Sequence, residues 1–129
     1  MDRYVHGESR DQTSLFPASV EEYVDDHHPV RVIDAFVERL DPVELGFDKA
    51  ITAETGRKPY NPKDLLKLFI YGYLNQVTST RRLEKECRRN VEVMWLMHRL
   101  APDFKTIADF RRDNGTAIKS TCRAFIVFC

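Results

Sequence analysis

The sequence predicts an all-α fold, a compact array of about five to seven helices with helix-turn-helix-like connectivity. Three observations predict it. Apolar residues recur at three- and four-residue spacing in several windows of the 129-residue chain. Capping residues stand directly before those windows, as in Asn61-Pro62, Ser79 and Asn90. No stretch of useful length alternates apolar and polar residues as a half-buried strand would.

The length suits one domain. Residues 1–18 read as a flexible lead, and 19–129 as the helical domain. A short acidic helix is expected from Ser19, with Glu21, Glu22 and Asp25 near its start. His28-Pro29 marks the next boundary, because proline suits a first helical position and disfavours helix before it. From Pro29, the positions Val30, Ile33, Phe36, Val37 and Leu40 form one helical face, which Asp41-Pro42 ends.

Residues 46–60 are mostly connection, punctuated by Gly46, Gly56 and Pro59, with a short helical turn near Lys49–Ala53. Asn61, Pro62 and Asp64 then give the clearest helix start in the chain. The helix they open, to about Gln76, is apolar around most of its girth and reads as the buried centre. Gly72 inside it costs helix propensity and permits close packing.

Ser79 caps a helix over 80–89, and Asn90 caps another over 91–100, which Ala101-Pro102 breaks. Thr106 with Asp109 resembles a capping box for a short helix that Asn114-Gly115 closes. A last helix carries Ile118, Cys122, Phe125 and Cys129. Residues 124–129 read AFIVFC, apolar and without a capping signal. Either this tail packs back on the core or the chain is a piece of something longer, and the second reading is preferred.

The formal net charge is zero, yet it conceals a split. Residues 1–54 hold five basic and thirteen acidic side chains, and residues 55–129 hold fifteen basic and seven acidic. Such asymmetry points to an anionic partner for the basic half; mutual neutralisation of the two halves is the plain alternative. The three cysteines lack metal-ligand spacing and read as reduced thiols. There is no apolar leader and no run of membrane-spanning length, so a soluble cytoplasmic chain with no membrane partner is expected.

The helix over 80–89 carries the functional signal. At about 100° per residue, Arg81, Lys85, Arg88 and Arg89 cluster on one side, with Arg82 alongside. Thr80, Leu83 and Cys87 fall opposite, and Glu84 and Glu86 flank the boundary. Five cations on one helical face suit phosphate contact, and arginine can also read guanine in the major groove. The plain alternative is a solvated face with internal ion pairs.

The helix over 91–100 is too apolar for a recognition helix, and Trp95 and its methionine neighbours read as packing. The groove-facing role therefore goes to 80–89. Beyond it, Arg112 points away from Ile107 and Phe110. Lys105 precedes the expected helix N-terminus, itself a candidate phosphate site. Arg111 lies nearer the apolar side and is expected to snorkel or pair with an acid. Arg57, Lys58, Lys63 and Lys67 form a second basic patch.

No catalytic or metal site is assigned. His27 and His28 beside Asp25 and Asp26 lack ligand spacing. Tyr60, Tyr71 and Tyr73 are formal candidates for recombinase nucleophiles, but Tyr71 and Tyr73 lie in the helix read as buried, which argues against that role. No phosphate loop or nucleophile elbow is present.

Several strings taken together resemble a known family: HPVR at 28–31, YNP at 60–62 before a leucine-rich helix, S-x-RRLE at 79–84, N-x-x-x-x-WL at 90–96, and PDF-x-TIADFR at 102–111. Over about residues 14–129 the chain resembles the N-terminal domain of bacterial insertion-sequence transposases of the DDE type. The resemblance implies binding of double-stranded DNA at an element's terminal inverted repeats. It implies a separate catalytic domain, where an acidic triad holds divalent metal. Nothing here matches that triad, so no cofactor and no catalytic activity are expected from these residues. The DNA-contacting set is then Arg81, Arg82, Lys85, Arg88, Arg89, Lys105 and Arg112. The alternative is a non-catalytic dimerisation module or truncated regulator, and self-association is left open.

Overall fold

A computed structural model describes residues 4–7, 20–41 and 60–128. Among these residues there is no strand, and five helices pack around one core. The order is a 3-10 turn at Val20–Tyr23, α1 at Pro29–Glu38, α2 at Pro62–Asn75, α3 at Thr80–Arg89, α4 at Val91–Leu96 and α5 at Phe104–Phe128. The expected acidic helix from Ser19 is only the 3-10 turn. The expected turn near Lys49–Ala53, with Arg57 and Lys58, lies outside the described residues.

Local sequence explains most starts. The Nδ1 atom of His28 accepts the Val30 N–H at 3.1 Å and caps α1. The side chain of Asn61 accepts the Lys63 N–H at 2.9 Å, and Pro62 needs no donor partner at the first helical position. Ser79 accepts from Arg82 N–H at 3.3 Å to cap α3. Asn90 caps α4 through Glu92 N–H at 2.9 Å.

Helix α2 is the central element, packed on α1, α4 and α5, with Leu65, Leu66, Leu68, Phe69, Ile70 and Tyr71 buried. Helix α3 packs on α4 and α5, and α4 packs on α1 and the 3-10 turn. Phe69 stacks on Phe110, with ring centroids 6.0 Å apart. Tyr73 departs from the expected buried helix: it is 54% exposed, because the last turn of α2 runs past the covering helices. Its burial therefore gives no argument about its chemistry, whereas Tyr71 is buried.

The turn between α2 and α3 depends on Gly72. Gln76 ends α2 in the left-handed region (φ 57°), and the Val77 N–H donates back to the Gly72 carbonyl at 2.8 Å. A Cβ at position 72 would lie 2.6 Å from the Val77 oxygen and 3.1 Å from Leu83 Cδ2. Gly72→Ala gains about 1 kcal/mol of helix propensity but must push the turn and α3 away. The net expectation is a loss of about 1–3 kcal/mol in urea denaturation. A more stable variant would show that α3 can shift without cost.

Three boundaries differ from the sequence reading. Helix α4 ends at Leu96, not 100, because His98 and Arg99 take left-handed backbone (φ 53° and 63°). The Arg99 N–H closes that turn on the Met94 carbonyl at 2.8 Å. The N-terminal segment packs there: a Cβ at Gly7 would overlap the His98 carbonyl, and Val5 lies against the core. Helix α5 begins at Phe104, with Asp103 accepting Thr106 N–H at 2.8 Å, so Asp103 is the cap in place of Thr106. Asn114 bends α5 (φ −130°, ψ 24°) where the sequence separates two helices, and its side chain donates to the Phe110 carbonyl.

At the other end of α5, Phe125 is buried edge-on to Phe36 at 5.2 Å, and Phe128 lies tilted against the same ring. Ile126 and Val127 face outward, Val127 at 86% exposure.

Candidate nucleic-acid interface

Helix α3 is anchored by one stripe. Leu83 and Cys87 are buried, and burial pushes the Cys87 thiol up to about 12, so it is a packed, protonated side chain. The opposite face is cationic: Arg81, Arg82, Lys85, Arg88 and Arg89 are all exposed. The helical stripe read from the sequence therefore has the orientation expected of it.

These five cations differ in their neighbours. The Arg81 guanidinium stacks over the Phe104 ring at 4.0 Å. Arg88 pairs with Glu84 at 3.2 Å and Arg89 with Glu86 at 3.8 Å, both within α3. Arg82 and Lys85 make no ion pair with the described residues. Exposed pairs of this kind contribute about 0–1 kcal/mol and yield to a phosphate.

A polar network underlies the far end of α3. The Tyr71 hydroxyl donates to Glu86 Oε1 at 2.6 Å, and Asn90 Nδ2 donates to the same carboxylate at 3.0 Å. The Tyr71 hydrogen bond lowers the pKa of Glu86, with Asn90, Arg89 and Arg82 adding to that shift against burial. Burial and the same carboxylate raise the pKa of Tyr71. The Tyr71 proton is thus held on its hydroxyl and donated to Glu86. The network ties α3 to α2, and its members lie 4 to 19 residues apart. No local pattern in the sequence links them.

Lys105 and Arg112 are also exposed, but their settings differ from the sequence reading. Lys105 does not precede a helix start; it stands in the first turn of α5. Two of the amide groups there are taken by carboxylates: Phe104 N–H donates to Glu84 at 2.9 Å and Thr106 N–H to Asp103. Both amides are therefore withheld from a phosphate, and the Lys105 side chain adds one exposed charge. Arg112 is bracketed by Asp109 at 3.2 Å and Asp113 at 3.1 Å. Arg111 donates to the Thr78 carbonyl at 2.8 Å, bracing the turn before α3 instead of pairing with an acid.

The second basic patch does not form around Lys67. Lys67 is 1% exposed and lies against Asp34 at 2.7 Å and Glu38 at 2.8 Å, with Asp64 at 4.0 Å. Lys63 donates to the Glu38 carbonyl at 3.1 Å. Acids of the first half thus meet interior or framework cations. Glu21 likewise pairs with Arg31 at 2.7 Å and accepts the Trp95 indole N–H at 2.7 Å. Among the described residues, the two paired cations of α3, Arg88 and Arg89, have their acids on α3 itself.

Both ring nitrogens of His28 are engaged, one as the α1 cap and one with Glu92 at 2.6 Å. No group of three His, Cys, Asp or Glu able to hold a metal occurs among the described residues. No helix among them is long and apolar enough to cross a membrane.

The described residues thus form an all-helical domain that anchors the short helix α3 by two buried side chains and turns five cations outward. The family description Transposase domain (DUF772) matches residues 18–113, which include all of α1 to α4 and the first part of α5. The chain belongs to this transposase-domain family, and that membership connects it to transposition. Comparison with the curated proteins and with the solved structures gave no match.

Proposed function

We propose that this domain binds duplex DNA at the terminal inverted repeats of an insertion sequence, as the N-terminal module of a DDE-type transposase, with α3 as its principal contact. The observation that carries this reading is the exposed five-cation face of α3 on its Leu83–Cys87 anchor. Family membership supplies the setting of transposition.

The connectivity supports the same reading. Helix α2, the four residues Gln76–Ser79 and α3 follow the pattern of a helix-turn-helix, whose turn is roughly three or four residues. In that pattern the second helix enters the major groove. Helix α4 is too short and too buried for that role. Arg82 and Lys85 are the cations most available to phosphates. Arg81 and Arg88 are held by Phe104 and Glu84 at set positions. Lys105 and Arg112 extend the surface as secondary contacts. No catalytic role is assigned to these residues.

The test is Arg82→Ala combined with Lys85→Ala. Two lost phosphate contacts should reduce the slope of log affinity against log salt by about 1.8, for specific and nonspecific duplexes alike. Stability should stay within about 0.5 kcal/mol of the parent, because both side chains are exposed. Unchanged affinity and slope would remove α3 from the interface.

A further inference from the structure

A cleft of about 460 Å³ opens between the end of α2, the start of α3 and the outer face of α5. Its volume is within the roughly 300–1,000 Å³ usual for ligand-sized sites. Its floor is apolar: Phe69, Val77, Leu83, Ile118 and Cys122, all buried. Its edge carries Arg111, Lys119 and Arg123, all exposed, and no carboxylate lines it. It lies apart from the outward face of α3.

This chemistry selects its occupant. A phosphate backbone needs cations but gains nothing from an apolar floor. An aromatic side chain flanked by acids meets both the floor and the edge.

The chain itself displays such a knob. Tyr23 is 62% exposed at the end of the 3-10 turn, and Glu22, Asp25 and Asp26 around it are exposed as well. The knob stands beside Glu86, Arg89, Asn90, Val91 and Glu92 at the α3–α4 junction, so it does not fill its own cleft. Tyrosine is among the residues that most often anchor interfaces, because its ring buries large area while its hydroxyl keeps a polar partner.

We propose that two copies of this chain associate by exchanging these elements, Tyr23 of each entering the Phe69–Val77–Ile118 cleft of the other. Glu22, Asp25 and Asp26 then face Lys119, Arg123 and Arg111. The exchange is reciprocal and closes on two chains, as a two-fold contact does. It gives a partner to the exposed acids of the first half that the internal pairs of Asp34 and Glu38 with Lys67 leave outside. The contact does not depend on the DNA-binding reading, because from α3 the cleft takes only the inward Leu83 and none of the outward cations.

Sedimentation equilibrium of the full chain without DNA tests it. The mass should rise with concentration from one chain to a plateau at two, and raising salt should weaken association because the edge pairs are exposed. Tyr23→Ala should weaken it about ten-fold or more. Asp25→Lys with Asp26→Lys should prevent self-association, and so should Lys119→Glu with Arg123→Glu. An equimolar mixture of those two variants should pair again, since each then offers the knob or cleft the other lacks.

The proposal is overturned by a single-chain mass at every concentration, or by association indifferent to all these changes. It is also overturned if Lys119→Glu with Arg123→Glu abolishes duplex binding and leaves the mass unchanged, which would assign the cleft to DNA. The exposed positions of Asp25, Asp26, Lys119 and Arg123 make the swaps compatible with folding, and thermal melts check this.

Discussion

Raising monovalent salt from about 50 to about 200 mM is expected to weaken duplex DNA binding by about 500-fold. The figure follows from five phosphate contacts, each releasing condensed counterions, which gives a slope near −4.5 in log affinity against log salt. All five α3 cations are exposed, so none requires a change of fold to reach a phosphate. Two of them, Arg88 and Arg89, hold an intrahelical carboxylate. Surface pairs of this sort are cheap to exchange, so they should count toward the slope. If they stay with Glu84 and Glu86, and Arg81 stays over Phe104, only Arg82 and Lys85 count and the slope falls to about −1.8. Fluorescence anisotropy at several salt concentrations separates the two values. An affinity independent of salt would eliminate phosphate contact by this face. Additional contacts from Lys105 or Arg112 would steepen the slope by about 0.9 each.

The second large effect is on stability. Lys67→Ala is expected to cost about 3 kcal/mol, and to lower the melting temperature by roughly 10 °C. Lys67 is buried between α1 and α2, and it draws Asp34 and Glu38 of one helix toward Asp64 of the other. Removing it leaves carboxylates of like sign near one another, with Asp34 and Asp64 largely shielded from water. The loss stays at the low end for a broken buried pair because Glu38 is half exposed and can turn to solvent. Lys67→Met should cost less, since its chain refills the space that the lysine stem occupied. Urea denaturation checks the order. An unchanged midpoint in Lys67→Ala would show that the cluster contributes nothing to the α1–α2 contact.

These two lysines, Lys67 and Lys85, show how far the sequence could be read. Both sit on helices, and by type and spacing both resemble surface cations. On α3 the apolar stripe is narrow, so Leu83 and Cys87 define the inner side and Lys85 must face out. On α2 the apolar residues run around most of the helix, and no stripe tells which side remains for a charge. The cover over Lys67 is α1, whose acids lie about thirty residues away in the chain. Tyr73 is the converse case: the same apolar girth suggests burial, yet no helix among the described residues covers its side chain.

What the amino-acid sequence determined alone is the set of local decisions. Those are the all-helical class, the caps at Asn61, Ser79 and Asn90, the place of the bend at Asn114 and the outward cationic face of α3. Each depends on residues within one or two turns of one another, where hydrogen-bond geometry and helical periodicity leave few choices. Tertiary structure alone decided which side chains share a neighbour. It ended α4 at the left-handed turn beside Gly7, gave the first amide of α5 to Glu84, and set Arg111 on Thr78. It also shaped the cleft between α2, α3 and α5. Such contacts join residues far apart in the chain, and their energy exists only once the helices have packed.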